Sequence, residues 1–404
     1  MEKIVIVGAG QAGLSLAAKL RKLGYGGDLT LIGAESHPPY ERPPLSKAFL
    51  LGKVEQDRMQ LRPPSFYAEQ DITLLTGKTV TRIARDDKTV HLKDMSLSYD
   101  ALALTTGSRP RRLPTELGGA LRGVHVLRGI DDARALARAC RPGRRALIVG
   151  GGYIGLEAAA VLRGLGIEVC LIEASPRILS RVAAPETSDA IRALHRTKGV
   201  LIKEAVGLKH LVGQDHVEEA RLSDGTNIPV DVVLVGIGAL PRDELARDCG
   251  LATEDGILVD ARGRTSDPAI YAAGDCARFS FAGHSTRLES VQNAIDQAET
   301  VAETMMGQSP IYAPVPWFWS DQFDLKLQIA GLSRGYDTVV AREGHRPGAK
   351  SFWYFAKDKL IAVDSLNDPA SFMLARRLLA RACPVSMEDI RDGAKDLKSL
   401  MNVS

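Results

Sequence analysis

The chain has 404 residues, 45% hydrophobic and 25% charged, with a net charge of +3; it is too long for one ordinary core and predicts two or three domains. The balance is that of a globular protein, and the small positive charge, with no basic run interleaved with aromatics, argues against nucleic acid and weakly favours an acidic partner. Five cysteines (Cys140, Cys170, Cys249, Cys276 and Cys383) form no CxxC pair, which argues against a disulfide framework or zinc site and fits a reducing cytoplasm.

The chain opens into a strand-like run, Ile4–Val7, with no charged n-region before it, so no signal peptide is expected. The motif Gly8-x-Gly10-x-x-Gly13 follows, and then Leu14, Ala17, Ala18 and Leu20 mark a helix that stops before Gly24. A second strand, Leu29–Gly33, leads to Glu35. The arrangement is that of a dinucleotide site: the first glycine turns tightly, the second admits a pyrophosphate, and the third packs helix on strand. Ala12 lies in the same turn. Next come a Pro-rich loop, Pro38–Pro44, and strand-like pieces at Ile72–Leu75, Thr79–Ile83 and Ala101–Thr105.

At Arg145–Gly155 the opening pattern recurs, as RALIVGGGYIG against KIVIVGAGQAG at Lys3–Gly13. Gly150, Gly152 and Gly155 repeat the glycine spacing; Ile154, Ala158, Val161, Leu162 and Leu165 give the helix, and Glu168–Glu173 gives the second strand. Glu173 closes that strand where a carboxylate binds both adenosine ribose hydroxyls and repels a 2′-phosphate, which favours NADH over NADPH even with Arg177 four residues on. A lone GxGxxG is weak; two copies in one chain, each with strand, helix and downstream acid, predict two dinucleotides. Apolar runs such as Ala146–Val149 and Val232–Val235 are too short to span a bilayer.

Val230–Gly238 and Ile270–Asp275 read as further strands, and Pro310–Pro316, with three prolines in seven residues, as a linker. Beyond it the composition turns aromatic, with Trp317, Phe318, Trp319, Phe352, Trp353, Tyr354 and Phe355 in a third domain of strands and a helix near Ser371–Cys383. Strand alternation puts Trp317 and Trp319 on one face and Phe318 on the other. His37, His91, His125 and His195 show no ligand spacing, so no metal is expected.

These motifs, with Pro43–Lys47 (PPLSK), Thr105–Pro110 (TTGSRP), Gly150–Glu157 (GGGYIGLE), Thr265–Asp275 (TSDPAIYAAGD), Glu289–Ala294 (ESVQNA) and Pro316–Gln322 (PWFWSDQ), run over essentially the whole chain. The sequence resembles the two-dinucleotide-binding flavoproteins, and within them the ferredoxin reductases of bacterial P450 and ring-hydroxylating dioxygenase systems. The resemblance implies an α/β fold with two Rossmann-like domains and a smaller α+β C-terminal domain. FAD would occupy 1–112 plus 240–316, NADH the inserted 113–239, and 317–404 would complete the flavin environment and dock the partner.

By the same resemblance, FAD is held without covalent linkage by Gly8, Gly10, Ala12, Gly13, Glu35, Arg42, Lys47, Val80, Arg109, Arg128, Asp275 and Val291. NADH is held by Gly150, Gly152, Ile154, Gly155, Glu173 and Gly238. Relatives often carry an acid directly after the residue matching Gly33; this chain has Ala34, which leaves Glu35 alone on the ribose. Lys47 is placed near flavin N5 with Glu157 as its counter-charge, and Trp319 at the flavin, as the residues closest to the chemistry. The implied reaction takes a hydride from NADH onto FAD and passes electrons singly to a 2Fe-2S ferredoxin. An acidic carrier would meet Lys326, Arg334, Arg376, Arg377 and Arg381. Monomer and weak dimer both stay open.

Three rivals are weighed against this reading. A disulfide or peroxide reductase needs a redox cysteine in Pro38–Leu50, and that loop has none. A flavoprotein resembling apoptosis-inducing factor would carry targeting and basic segments. A rubredoxin reductase differs only in its acceptor.

Overall fold

A glycine at the end of one apolar strand starts each half of the architecture. The computed structural model describes residues 1–402 and divides into two compact units: 1–42, 56–109 and 239–314 form the first, and 43–55, 110–238 and 315–404 the second. The sequence predicts three domains with breaks near 112, 239 and 316. In the contact units the C-terminal segment and the loop Pro43–Glu55 both group with the second.

In the first unit five parallel strands lie in the order Ile270–Ala272, Ala101–Leu104, Lys3–Val7, Asp28–Ile32 and Ile72–Leu75. Their alternate residues serve opposite faces, which is why each reads as a continuous apolar run. Ile4, Ile6, Leu29 and Leu31 join Leu14, Ala17 and Leu20 of the helix Gln11–Lys22 and Ala298 and Val301 of the helix Val291–Met305. Val5, Val7, Leu102 and Leu104 join Val80, Ile83 and Val90 on the other face.

The second unit repeats the order with Leu201–Glu204, Glu168–Glu173, Arg145–Val149, Val232–Val235 and Val124–His125. The internal repeat extends beyond the glycine motifs. A three-stranded antiparallel meander stands at the matching place in both halves: Val80–Ala84, Thr89–Leu92 and Ser96–Ser98 between Ile72–Leu75 and Ala101–Leu104 in the first, Leu208–Val212, Glu219–Leu222 and Asn227–Pro229 between Leu201–Glu204 and Val232–Val235 in the second.

Several expected strands are shorter than read. Ile270–Asp275 is strand only to Ala272 because Gly274 turns the chain at φ +82°, and Val230–Gly238 pairs only over Val232–Val235. Pro310–Pro316 has no regular structure, yet it is strapped down. Tyr312 is buried, its N–H donates to the Ala261 carbonyl at 2.8 Å, and its hydroxyl to Asn293 Oδ1 at 2.7 Å.

The aromatic segment forms an antiparallel sheet ordered Trp317–Gln322, Leu325–Gly331, Lys359–Leu366, Lys350–Ala356 and Thr338–Glu343. The helix Pro369–Arg381 begins at Asp368, whose carboxylate caps the Ser371 N–H, with Pro369 at the first turn where no donor is needed. It covers one face, burying Trp353, Phe355, Phe372 and Leu378; each such side chain contributes about 1.5–3 kcal/mol. The other face carries polar groups: Ser320, Gln322, Tyr354 and Asp364 are all fully buried.

Candidate functional site

The first glycine motif builds a cradle in the first unit. Gly8 sits at φ +118°, and a Cβ there would lie 2.1 Å from the Thr105 carbonyl oxygen; one on Gly13 would lie 2.0 Å from the Gly8 oxygen. Both positions therefore require glycine. Gly10 differs. It caps the helix Gln11–Lys22 without a side-chain cap or an acid in the first turn, and a Cβ there would meet nothing within 4 Å. The helix N-terminus thus opens onto free space, the arrangement a pyrophosphate requires.

The other flavin candidates of this unit surround related features. Glu35 accepts from Tyr40 Oη and an Arg42 guanidinium nitrogen, each at 2.5 Å. Burial opposes charge on Arg42, but Tyr40, Glu35 and Asp275 outweigh it and raise the guanidinium above its ordinary value. Asp275 accepts from Ser108 Oγ at 2.9 Å, and its neighbour Gly274 comes so close to Ala12 that an added Cβ would stand 3.1 Å from the alanine methyl. Val80 is buried at the start of its strand, just after Gly77 and Lys78 bond back to the Glu35 and Gly33 carbonyls. Arg109 pairs with Glu244, and Val291 opens a helix capped by the Ser290 hydroxyl. Lys47 and Arg128 lie in the second unit, Arg128 beside the capping carboxylate of Asp132.

The second unit holds the equivalent cradle. Gly150 (φ +110°) would place a Cβ 2.3 Å from the Gly236 oxygen, one on Gly155 would lie 2.2 Å from the Gly150 oxygen, and Gly152 again faces open space at an uncapped helix start. Ile154, in the first turn of that helix, is half exposed. Gly238, at φ +101°, has Arg181 and Arg111 beside it. Glu173 accepts the Gly151 and Ser175 N–H groups at 2.7 Å, one on each oxygen. Those bonds fix the carboxylate beside the glycine turn and leave further lone pairs for a ribose. Arg177 turns away onto Ser188 Oγ and the Ser180 carbonyl.

Glu157 is a buried acid of this unit, on the helix Tyr153–Gly164. Its Oε2 accepts from Lys47 Nζ and Ser46 Oγ, both at 2.6 Å, and its Oε1 accepts from Ser320 Oγ at 2.8 Å. The sequence reading paired Lys47 with Glu157 and missed both serines; the only signal for Ser46 was its place in the PPLSK run. Trp319 shares a face with Trp317, ring centroids 5.5 Å apart, while Phe318 points the other way onto Tyr153 at 4.5 Å. Arg376 stacks on Trp317 at 4.8 Å, so it packs as much as it presents charge; Lys326, Arg334, Arg377 and Arg381 are exposed. Among the described residues, no cluster of His, Cys, Asp and Glu is arranged to hold a metal, and no helix is long and apolar enough to cross a membrane.

Residues 2–298 match the pyridine nucleotide-disulphide oxidoreductase pattern and residues 317–401 the reductase C-terminal pattern. The chain belongs to that oxidoreductase family. Within it, the chain is 39% identical to putidaredoxin reductase of Pseudomonas putida, over 99% of this chain and 97% of that one. It is also 39% identical to a rubredoxin-NAD(+) reductase of Pseudomonas putida, over 91% and 96%. The solved covalent complex of putidaredoxin reductase with putidaredoxin superposes with a TM-score of 0.96 at 38% identity, covering 99% of this chain and 98% of that one. The fold is therefore that of a two-dinucleotide flavoprotein with a C-terminal domain, and the protein is an FAD-dependent oxidoreductase using a nicotinamide dinucleotide.

Proposed function

We propose that the chain is an NADH:ferredoxin reductase, with FAD on the Gly8–Gly13 cradle and NADH on the Gly150–Gly155 cradle. FAD is expected within 1–112 plus 240–316, NADH within 113–239, and the carrier against 317–404. The residues present fit the flavin: the helix start at Gly10 is open, and Glu35, Arg42 and Asp275 supply charged and polar groups in the same unit. Bound FAD supplies the conversion of a two-electron hydride into single electrons.

The loop Pro38–Leu50 carries the reading. Where a thiol-relay enzyme offers a cysteine, this chain offers Ser46 and Lys47, both held on Glu157. Burial also pushes the Cys140 and Cys170 thiols up to about 11 and raises Cys249 and Cys276, keeping them from the thiolate form that exchange requires. With no relay in that loop, a bound flavin would have to supply a one-electron carrier directly.

By the family resemblance, Lys47 would offer its positive charge to a bound flavin, with Glu157 holding the ammonium at 2.6 Å, and Trp319 would line the flavin site. Glu173 selects NADH. The carrier is a 2Fe-2S ferredoxin serving a P450 or other oxygenase, acidic and transiently bound against Lys326, Arg334, Arg377 and Arg381; the enzyme works in the cytoplasm. The rubredoxin-reductase relative keeps a second acceptor in view. Steady-state turnover with a 2Fe-2S ferredoxin and with a rubredoxin, at equal concentration, separates the two: faster reduction of rubredoxin would reverse the assignment.

A further inference from the structure

Glu157 is the end of a longer hydrogen-bonded line buried within the second unit. Ser320 Oγ accepts from Gln322 Nε2 at 3.0 Å and donates to Glu157 Oε1 at 2.8 Å. Gln322 Oε1 meets His195 Nε2 at 2.8 Å. All four side chains are buried; Ser320, Gln322 and His195 are fully so. The line joins three separate elements: the helix Pro185–Thr197, the first strand of the C-terminal sheet and the helix Tyr153–Gly164.

The proton directions follow from the chemistry of the groups. A hydroxyl has one proton, so Ser320 can donate to Glu157 only if its other bond is received from the Gln322 amide. That sets the glutamine with Nε2 toward Ser320 and Oε1 toward His195. The glutamine oxygen then needs a donor, which is the Nε2–H tautomer of His195. Burial holds this imidazole below its usual value, so it stays neutral, and Nδ1 has no hydrogen-bond partner among the described residues. The edge of Phe323 packs against the ring at 5.0 Å and fixes its plane. Each link has a single orientation.

We infer that Ser320, Gln322 and His195 are positioning residues that hold the Glu157 carboxylate for Lys47, so that the C-terminal sheet sets the charge geometry at the flavin. The inference rests on the proposed placement of Lys47 at the flavin. Without Ser320, Oε1 loses its one hydrogen-bonded side chain among the described residues and the carboxylate is free to turn on the Ser46 and Lys47 bonds, which both act on Oε2.

The test uses the FAD-loaded enzyme and reads stopped-flow reduction by NADH together with the flavin midpoint potential. Ser320→Ala should slow reduction about tenfold, the scale of one hydrogen bond to a charged group, and lower the potential. Gln322→Met leaves the hydroxyl in place and should reproduce part of both effects. In a Lys47→Met background, Ser320→Ala should add little, because the two act through one carboxylate. Variants with a lower unfolding midpoint but unchanged rate and potential would reduce the line to a packing device and overturn the inference. Lys47→Met with wild-type kinetics and potential would remove the parent reading as well. Lys47→Met impaired beside an unaffected Ser320→Ala would remove this inference alone.

Discussion

Asp364→Asn should flatten the pH dependence of the second unit's stability, its stability relative to wild type rising with pH. Asp364 lies on the polar face of the C-terminal sheet, where Oδ2 accepts from Tyr354 Oη at 2.7 Å and Thr187 Oγ1 at 2.8 Å while Oδ1 has no hydrogen-bond partner among the described residues. Burial pushes its carboxyl from 3.8 to about 6, against the two hydroxyls that lower it. At about 1.36 kcal/mol per tenfold, ionising it inside the fold costs about 3 kcal/mol. Because the folded value is raised, this group's favourable contribution is complete below the unfolded value of 3.8 and is lost as pH rises through about 6. Asparagine keeps an acceptor for both hydroxyls and does not titrate. Whatever its fixed cost, the stability gap between variant and wild type should widen by about 1–2 kcal/mol between about pH 5 and about pH 7.5. All three tryptophans, Trp317, Trp319 and Trp353, lie in this sheet, so urea unfolding followed by their fluorescence reads the right element. A gap constant across that range would show that Asp364 does not titrate as described.

Gly10→Leu should fold normally yet purify colourless, since a Cβ there meets no described atom within 4 Å and the side chain would extend into the cradle, whereas Gly8→Ala should destabilise the fold itself; circular dichroism with FAD content separates the two. Wild type should prefer NADH strongly over NADPH. Glu173→Ala should narrow that preference by about tenfold or more in kcat/KM, as a charge-assisted acceptor for the ribose is lost, and a wild type preferring NADPH would refute the assignment. Alkylating every accessible cysteine should leave NADH reduction and ferredoxin turnover intact. Raising salt should depress ferredoxin turnover far more than flavin reduction, since screening shortens to about 10 Å at about 0.1 M.

The parallel cores were legible because strands buried on both faces are apolar throughout, and each ended in glycines that only a tight turn explains. Gly8 and Gly150 carry that signal in their positive φ, and their partners Thr105 and Gly236 lie one residue past strands that the apolar pattern also marked. The antiparallel meanders were mostly hidden: Thr79–Ile83 marked the strand Val80–Ala84, but Leu208–Val212 and Asn227–Pro229 are short and largely exposed, so no clean alternation marks them. The helix Pro185–Thr197 was missed despite Pro185 at its first turn. The polar lines escaped for a different reason. Ser46, Ser320, Thr187 and Asp364 bond to residues more than 100 positions away, and no local period encodes such a pairing. The Lys47–Glu157 pair became visible only through resemblance, and its serine donors only through the fold.

The most direct test of the central claim is double-mixing stopped flow. The purified yellow enzyme is first reduced with one equivalent of NADH and then mixed with a 2Fe-2S ferredoxin without oxygen. The account predicts rapid flavin bleaching by NADH, then flavin reoxidation matched by reduction of two ferredoxins per flavin, with no thiol required. Fast reduction of glutathione, coenzyme A disulfide or peroxide by the reduced enzyme, with slow or no transfer to any iron–sulfur carrier, would contradict it.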